Sequence, residues 1–230
     1  MTYTQLVAAI QNYAENTFTY DVVTGRDPMD TFIRQAEQRI YNSVQFPSLR
    51  KNVMGLTTTN NKYLSCPTDF LAVYSMAVVD GLGNYEYLLN KDVNFIRQAY
   101  PNPTDTAIPK YYALFGPATT NTNPPTITDE LTFILGPTPD DQYDVELHYY
   151  YYPESITVAA DGRTWLGDNF DSVLLYGSLV EAYTFMKGEA DMVQLYNTKY
   201  QEALALAKRL GDGMERQDAY RSGQYRQAVT

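Results

Sequence analysis

The sequence predicts an α+β protein: a helical bundle built from N- and C-terminal helices, with an inserted antiparallel β region and an extended C-terminal tail. Three observations predict it. Residues 173–186, VLLYGSLVEAYTFM, have only Ser178, Glu181 and Thr184 as polar side chains, so a helix here is apolar over most of its circumference and has to be buried. The run falls short of the roughly 20 apolar residues that cross a bilayer and carries a charge at Glu181, so its cover must come from other protein elements. Amphipathic patterns at both ends of the chain supply that cover. Between them, over 50–152, the character changes to short β-branched and aromatic stretches bounded by turn residues. The predicted division is therefore a bundle of 1–48 and 168–211, a β region of 49–167 and a tail of 212–230.

Thr2 or Thr4 caps a first helix to about residue 15, with Leu6, Ala9, Ile10, Tyr13 and Ala14 on its apolar side. Residues 16–26 read as a linker. Asp27-Pro28 then starts a second helix, a capping acid before proline at the first helical position, with apolar residues at Phe32, Ile33, Ala36, Ile40 and Val44 and a stop before Pro47. Strands are predicted at 53–58, 63–66, 71–80, 85–89, 111–115, 131–135 and 143–152. Asp80-Gly81-Leu82-Gly83-Asn84 reads as a hairpin loop, and a short helix over 91–99 ends at Pro101. Residues 101–109, 116–129 and 136–142 are loops by composition, the second of them a long exposed loop or hairpin tip. Trp165 and Leu166 are expected to plug the base of the core helix. After Lys187-Gly188, Met192, Leu195, Tyr196, Tyr200, Ala203, Leu204, Ala207 and Leu210 fall on one predicted helical stripe.

The totals exclude several classes of function. With 27 acidic against 17 basic residues, a net charge of -10 and no Lys/Arg cluster before residue 210, binding by phosphate neutralisation is not expected. A single cysteine, Cys66, excludes an intramolecular disulfide scaffold. The first residues, MTYTQLVAAIQNYAENT, have neither a basic region nor a long apolar core, so no signal peptide is expected. The 22 tyrosines, broad apolar faces with polar tips, suit half-buried sheets and wet subunit interfaces.

One histidine and one cysteine cannot build a usual zinc site, and His148, on an alternating strand, reads as a surface residue. No P-loop, dinucleotide fingerprint or nucleophile elbow is present, so no cofactor is expected. Carboxylate acid/base work, as in a glycoside hydrolase, is the one catalysis this residue supply allows readily, with Glu37, Glu181, Asp168 and Asp171 as candidates. The competing reading is stronger. A carboxylate on an apolar helix most often persists by pairing with a cation, and Glu181 is expected to pair with Arg34 or Arg39 across the bundle. The tail offers a binding signal instead. Arg216 is followed by Tyr220-Arg221 and Tyr225-Arg226, and Tyr and Arg are over-represented at interface hot spots. By itself the tail is too poor in aliphatics to fold.

A set of stretches carries a family resemblance: 32–40, FIRQAEQRI; 66–71, CPTDFL; 109–116, PKYYALFG; 135–139, LGPTP, with the tyrosine-rich strand to Pro153; and the core helix with Glu181-Ala182. In their shared order they resemble the head-to-tail adaptor (head-tail connector) proteins of tailed bacteriophages, the short-tailed-phage type in particular. Cys66 stands where an aliphatic residue is usual. The resemblance implies a virion structural protein with no catalytic residues and no cofactor, located at the head–tail junction. Its implied partners are the portal protein, itself as a ring of twelve subunits, and a downstream tail or nozzle protein. DNA passes through the ring's channel without specific binding, no membrane is involved, and the C-terminal extension reaches the portal. Two other readings compete, a virion-associated cell-wall glycoside hydrolase and a tail-tube or baseplate component.

Overall fold

The computed structural model describes residues 1–18, 27–102, 104–119, 127–129 and 131–215. The predicted linker therefore lies mostly outside the described residues, as do residues 120–126 of the long loop and all of the chain beyond Glu215. In chain order the elements are α1 (Tyr3–Ala14), α2 (Pro28–Ser43), β1 (Arg50–Leu56), β2 (Tyr63–Ser65), β3 (Ala72–Val79), β4 (Tyr85–Tyr87), β5 (Leu89–Asn90) and α3 (Val93–Ala99). There follow β6 (Tyr111–Phe115), β7 (Ala118–Thr119), β8 (Ile127–Asp129), β9 (Thr132–Gly136), β10 (Asp144–Tyr150), α4 (Trp165–Asn169), α5 (Asp171–Phe185) and α6 (Ala190–Glu215). The fold is α+β, with the helices of both chain ends in one compact unit, Met1–Leu49 with Tyr152–Thr230, and the strands in a second, Arg50–Tyr151.

In the helical unit the starts follow from local chemistry. Thr2 and Gln5 form a reciprocal capping box at α1, and the Asp27 carboxylate accepts from the Met29 N–H at 2.9 Å with Pro28 at the first helical position of α2. α5 is the centre, packed against α1, α2, α4 and α6, with Val173, Leu174, Leu179 and Ala182 buried on different sides of it. Its polar residues are disarmed locally: the Ser178 hydroxyl donates to the Leu174 carbonyl at 2.8 Å and Thr184 to the Val180 carbonyl at 2.7 Å. Gly177 is where the neighbours come closest. A Cβ there would lie 3.2 Å from both the Ala36 Cβ of α2 and the Tyr200 ring of α6. Below α5, Trp165 and Leu166 do form a plug. Leu166 is fully buried, and the Trp165 ring lies 5.1 Å from Phe46 and 5.6 Å from Phe170.

α6 departs from its predicted form in two ways. The buried line is Tyr196, Tyr200, Leu204 and Ala207, continued by Gly211, whereas Leu195 and Leu210 of the predicted stripe are exposed. The large Tyr200 ring seated beside Gly177 sets this rotation, and Gly211 sets it again: a Cβ there would sit 2.9 Å from the Gln45 carbonyl. The helix runs on to Glu215 instead of stopping near Leu210. Gly211 is a point of close approach inside the helix rather than its end, and residues 212–215, assigned to the tail by composition, are helical.

The β unit is built from two four-stranded sheets, β1-β10-β3-β4 and β2-β9-β6-β5, with β7 and β8 as a small separate pair. Phe70, Met76, Val78, Leu147, Phe133 and Leu135 are among the side chains that fill the space between the two large sheets. The first sheet is wholly antiparallel. The second is mixed, because β5 runs parallel to β6. The predicted strand over 85–89 is the cause. Buried Leu88 donates its N–H to the Met76 carbonyl (2.9 Å) while Leu89 donates to the Lys110 carbonyl (3.0 Å), so the chain changes sheets at that step. A parallel return then needs a crossover, and α3 provides it, placing Ile96 on Ala113 and Ile134 of the second sheet.

Candidate functional site

The predicted ion-pair residues lie on α2 and α5. Arg39 of α2 donates from Nη2 to the Glu181 carboxylate of α5, and its guanidinium sits 5.9 Å from the Tyr200 ring centroid of α6. One arginine thus touches three helices. The pair faces a shallow depression that Gln35, Gln38, Asn42 and Ser43 complete, and the Arg39 side chain remains 44% exposed against 14% for Glu181. Arg34 is not part of it. Its Nε donates to the Thr157 hydroxyl at 3.0 Å, in the segment that returns from the strands to the helices.

The buried acid is a different residue. Glu37 is 3% exposed on the packed side of α2, and its Oε1 accepts from the Ile156 N–H at 2.9 Å. Burial pushes its carboxyl above the ordinary value, and the hydrogen bonds from Ile156 and Ser155, then the Arg34 charge, pull the other way. Glu37 and Arg34 together hold residues 155–157 against α2. Asp168 takes Arg163 at 3.2 Å and the N-terminal ammonium at 3.6 Å; the Arg163 hydrogen bond chiefly holds its carboxyl below the usual range. Asp171 accepts from the Ser172 hydroxyl at 3.3 Å. Each of the four candidate acids is thus engaged with a different partner.

His148 lies on the solvent side of β10, with its ring nitrogens 3.4 Å from the Ser75 hydroxyl and 3.8 Å from Glu146. Cys66 packs partly buried against the core of the β unit. Among the described residues no group of three or more His, Cys, Asp or Glu side chains could hold a metal ion, and no helix is long and apolar enough to cross a membrane. The predicted partner-binding residues Arg216, Tyr220, Arg221, Tyr225 and Arg226 lie outside the described residues.

One surface escaped prediction from the residues. The side of the first sheet that faces away from its core exposes Met54, Leu56, Tyr74, Tyr85 and Tyr87. The alternation in Tyr85-Glu86-Tyr87 and in Met54-Gly55-Leu56 was the available signal, but a period of two does not say which face looks at solvent.

No curated protein matches the chain. The family model of the SU10 adaptor protein matches residues 1–227, nearly the whole length, so the chain belongs to the SU10 adaptor protein family and is a structural protein of a bacteriophage virion, of the head-to-tail adaptor kind.

Proposed function

We propose that this protein closes the filled head and joins it to the tail. Copies form a ring of twelve beneath the portal protein, extend the DNA channel and present a docking platform to the next tail or nozzle component. The family match over residues 1–227 carries this reading. Physical properties support it. A net charge of -10 suits a wall past which DNA slides without sticking. The bundle halves, 1–48 and 168–211, provide a rigid body around α5, and α6 delivers the chain beyond Glu215 from its end. Arg216, Tyr220, Arg221, Tyr225 and Arg226 are the residues assigned to the portal contact. The role is structural, with the acids Glu37, Glu181 and Asp168 serving to hold the helical unit together.

Removing residues 216–230 tests the portal contact. The truncated protein should keep its circular dichroism spectrum and melting temperature while its affinity for the isolated portal falls at least tenfold. Full affinity after truncation would refute the assignment of the tail. Electron microscopy of the virion, placing the protein directly under the portal vertex or farther down the tail, tests the location.

A further inference from the structure

The first sheet has two open edges, β1 and β4. Along β1 the pairing with β10 runs from Arg50 opposite Tyr150 to Leu56 opposite Asp144, and the Thr57 N–H extends it by donating to the Tyr143 carbonyl at 2.9 Å. That bond fixes the phase of the ladder. In an antiparallel pair the residues that exchange hydrogen bonds alternate with those that do not, so Lys51, Val53 and Gly55 turn their backbone groups to β10, as Thr57 does. The N–H and C=O groups of Asn52, Met54 and Leu56 therefore point away from the sheet, and among the described residues nothing meets them. Residues 51–56 are exposed without interruption, and 52–57, NVMGLT, hold neither a charge nor a proline, the usual protections of an edge strand.

At the other edge the Leu88 N–H donates to the Met76 carbonyl and the Asp80 N–H to the Asn84 carbonyl, both at 2.9 Å. These bonds turn Asn84, Glu86 and Leu88 toward β3, so the backbone groups of the exposed residues Tyr85 and Tyr87 face outward. The hairpin that delivers β4 is held still. The Asp80 carboxylate accepts from the Leu82 and Asn84 N–H groups, each at 2.8 Å, and from the Asn84 side chain at 2.9 Å. A strand fixed in this way loses little freedom when it pairs.

The two edges are in phase. Leu56, Asp144, Val79 and Tyr85 form one row across the sheet, and Met54, Glu146, Ala77 and Tyr87 the next, all with side chains on the side away from the core. Because the sheet has four strands, an even number, the free backbone groups at both edges belong to residues of that one side. A β1 laid beside β4 thus continues the pleat without turning a side chain over. Directions agree as well: β1, β10, β3 and β4 alternate, so copies set side by side in one orientation bring β1 to β4 antiparallel. The second sheet ends instead in β5, which has two residues and runs parallel to its neighbour.

Side chains select the register. With Tyr87 opposite Met54 and Tyr85 opposite Leu56 of the next copy, each ring lies against an aliphatic side chain while the backbones exchange hydrogen bonds. Between these pairs Glu86, on the other side of the sheet, comes opposite Gly55, where a Cβ would meet nothing within 4 Å. A shift by two residues would set the Glu86 carboxylate against Val53 instead.

We infer that the first sheet continues from copy to copy, β4 of one chain pairing antiparallel with β1 of the next, Tyr87 opposite Met54 and Tyr85 opposite Leu56. A contact between two different edges propagates, as a ring requires, whereas β1 meeting β1 would close on itself as a two-fold dimer. The inference rests on the proposed ring and adds the strands that join its subunits.

Cysteine cross-linking of the full-length protein, assembled alone and with portal, tests it. Gly55→Cys and Glu86→Cys are placed together in a chain whose Cys66 is replaced by alanine. Within one copy the two positions are three strand spacings apart, roughly 14 Å, which no disulfide spans. Across the inferred pairing they form a non-hydrogen-bonded pair with Cα atoms about 4.5 Å apart, within disulfide reach. Oxidation should therefore give a ladder of covalent dimers, trimers and larger species, and neither cysteine alone should give any. Covalent dimers from Gly55→Cys alone would show β1 meeting β1 and overturn the inference. A second variant acts on the backbone. Met54→Pro removes an outward N–H that β10 does not use, so it should keep the circular dichroism spectrum and urea midpoint while raising the midpoint of association at least tenfold in analytical ultracentrifugation. Val53→Pro, one residue away, removes a bond to β10 and should lower the urea midpoint. If Met54→Pro lowers it too, the cysteine pair decides. Rings that yield no ladder from the double-cysteine chain, or that form from a folded Met54→Pro as readily as from the wild type, overturn the inference and leave the ring reading standing. A wild-type chain that stays monomeric, both alone and with portal present, overturns the two together.

Discussion

The helical unit and the β unit place the same kinds of side chain to different ends. In the helical unit the most apolar element, α5, is enclosed by four other helices, and Leu174 and Leu179 reach no solvent. In the β unit, among the described residues, the larger core lies between the sheets and a smaller one lies where α3 covers the outer side of the second sheet. The first sheet's outer side keeps Met54, Leu56, Tyr85 and Tyr87 in water. A buried apolar residue of α5 therefore contributes to folding, whereas an exposed one on that sheet face contributes almost nothing to the fold of the single chain.

The sharpest way to break this contrast is to truncate one residue of each kind. Leu179→Ala leaves a cavity beside α5 and should cost about 3 kcal/mol in urea denaturation of the full-length protein. Met54→Ala should change stability by no more than ~0.5 kcal/mol. Equal losses would mean that the sheet face is part of the folding core after all.

Glu37 gives the next largest effect and a pH signature. Glu37→Ala leaves the buried Ile156 N–H without its acceptor and should cost about 1–3 kcal/mol. The folded pKa of Glu37 lies above its unfolded value, because burial outweighs the hydrogen bonds. Between those two values the native state binds more protons than the unfolded state, so this group's contribution is full below the unfolded pKa and is lost as pH rises through the folded pKa. Glu37→Gln, neutral at every pH and still an acceptor, should flatten that part of the stability–pH curve and match or exceed the wild type at neutral pH. A stability profile that keeps its slope in Glu37→Gln would assign the dependence to another group.

Much of this was legible in the residues, and what was not had physical causes. Asp27-Pro28 and Thr2 announce helix starts because capping is local, and the run 173–186 announces a buried helix because it has no polar side to offer water. The identity of the buried acid had a visible signal: Glu37 shares its spacing with Ile33, Ala36 and Ile40 and so lies on the packed stripe of α2. Its partner, the Ile156 N–H, is 119 residues away, and no local pattern reveals it. The split of 85–89 into two strands of different sheets was equally hidden, since the bond from Leu88 to Met76 decides it. The rotation of α6 turned on the Tyr200 ring finding room at Gly177, a matter of volume across two helices.

The two units can also be compared through their buried tyrosines. Tyr149 of the β unit donates its hydroxyl to Asp69 Oδ1 at 2.8 Å, and Lys51 meets the other oxygen of the same carboxylate at 2.8 Å. Tyr200 of the helical unit is as deeply buried, but its hydroxyl has no hydrogen-bond partner among the described residues. Tyr149→Phe should therefore cost about 1 kcal/mol, while Tyr200→Phe should be neutral or slightly stabilising, because it removes an unsatisfied polar group. Paired thermal melts of the two variants check this, and a Tyr200→Phe loss as large as that of Tyr149→Phe would show that the Tyr200 hydroxyl is satisfied in solution, as by a buried water.

The smallest effect belongs to the ion pair that joins α2 to α5. Arg39 and Glu181 touch, but the arginine is nearly half exposed, so water and salt screen most of their attraction. A double-mutant cycle with Arg39→Ala and Glu181→Ala should give a coupling below about 1 kcal/mol, falling further as salt is raised. Arg39→Lys separates the charge from the stacking. A lysine keeps the positive charge near Glu181 but loses the flat group that lies beside the Tyr200 ring, so it should recover only part of the wild-type stability. Full recovery by lysine would assign the whole effect to charge, and none of it to the contact that ties α2 to α6.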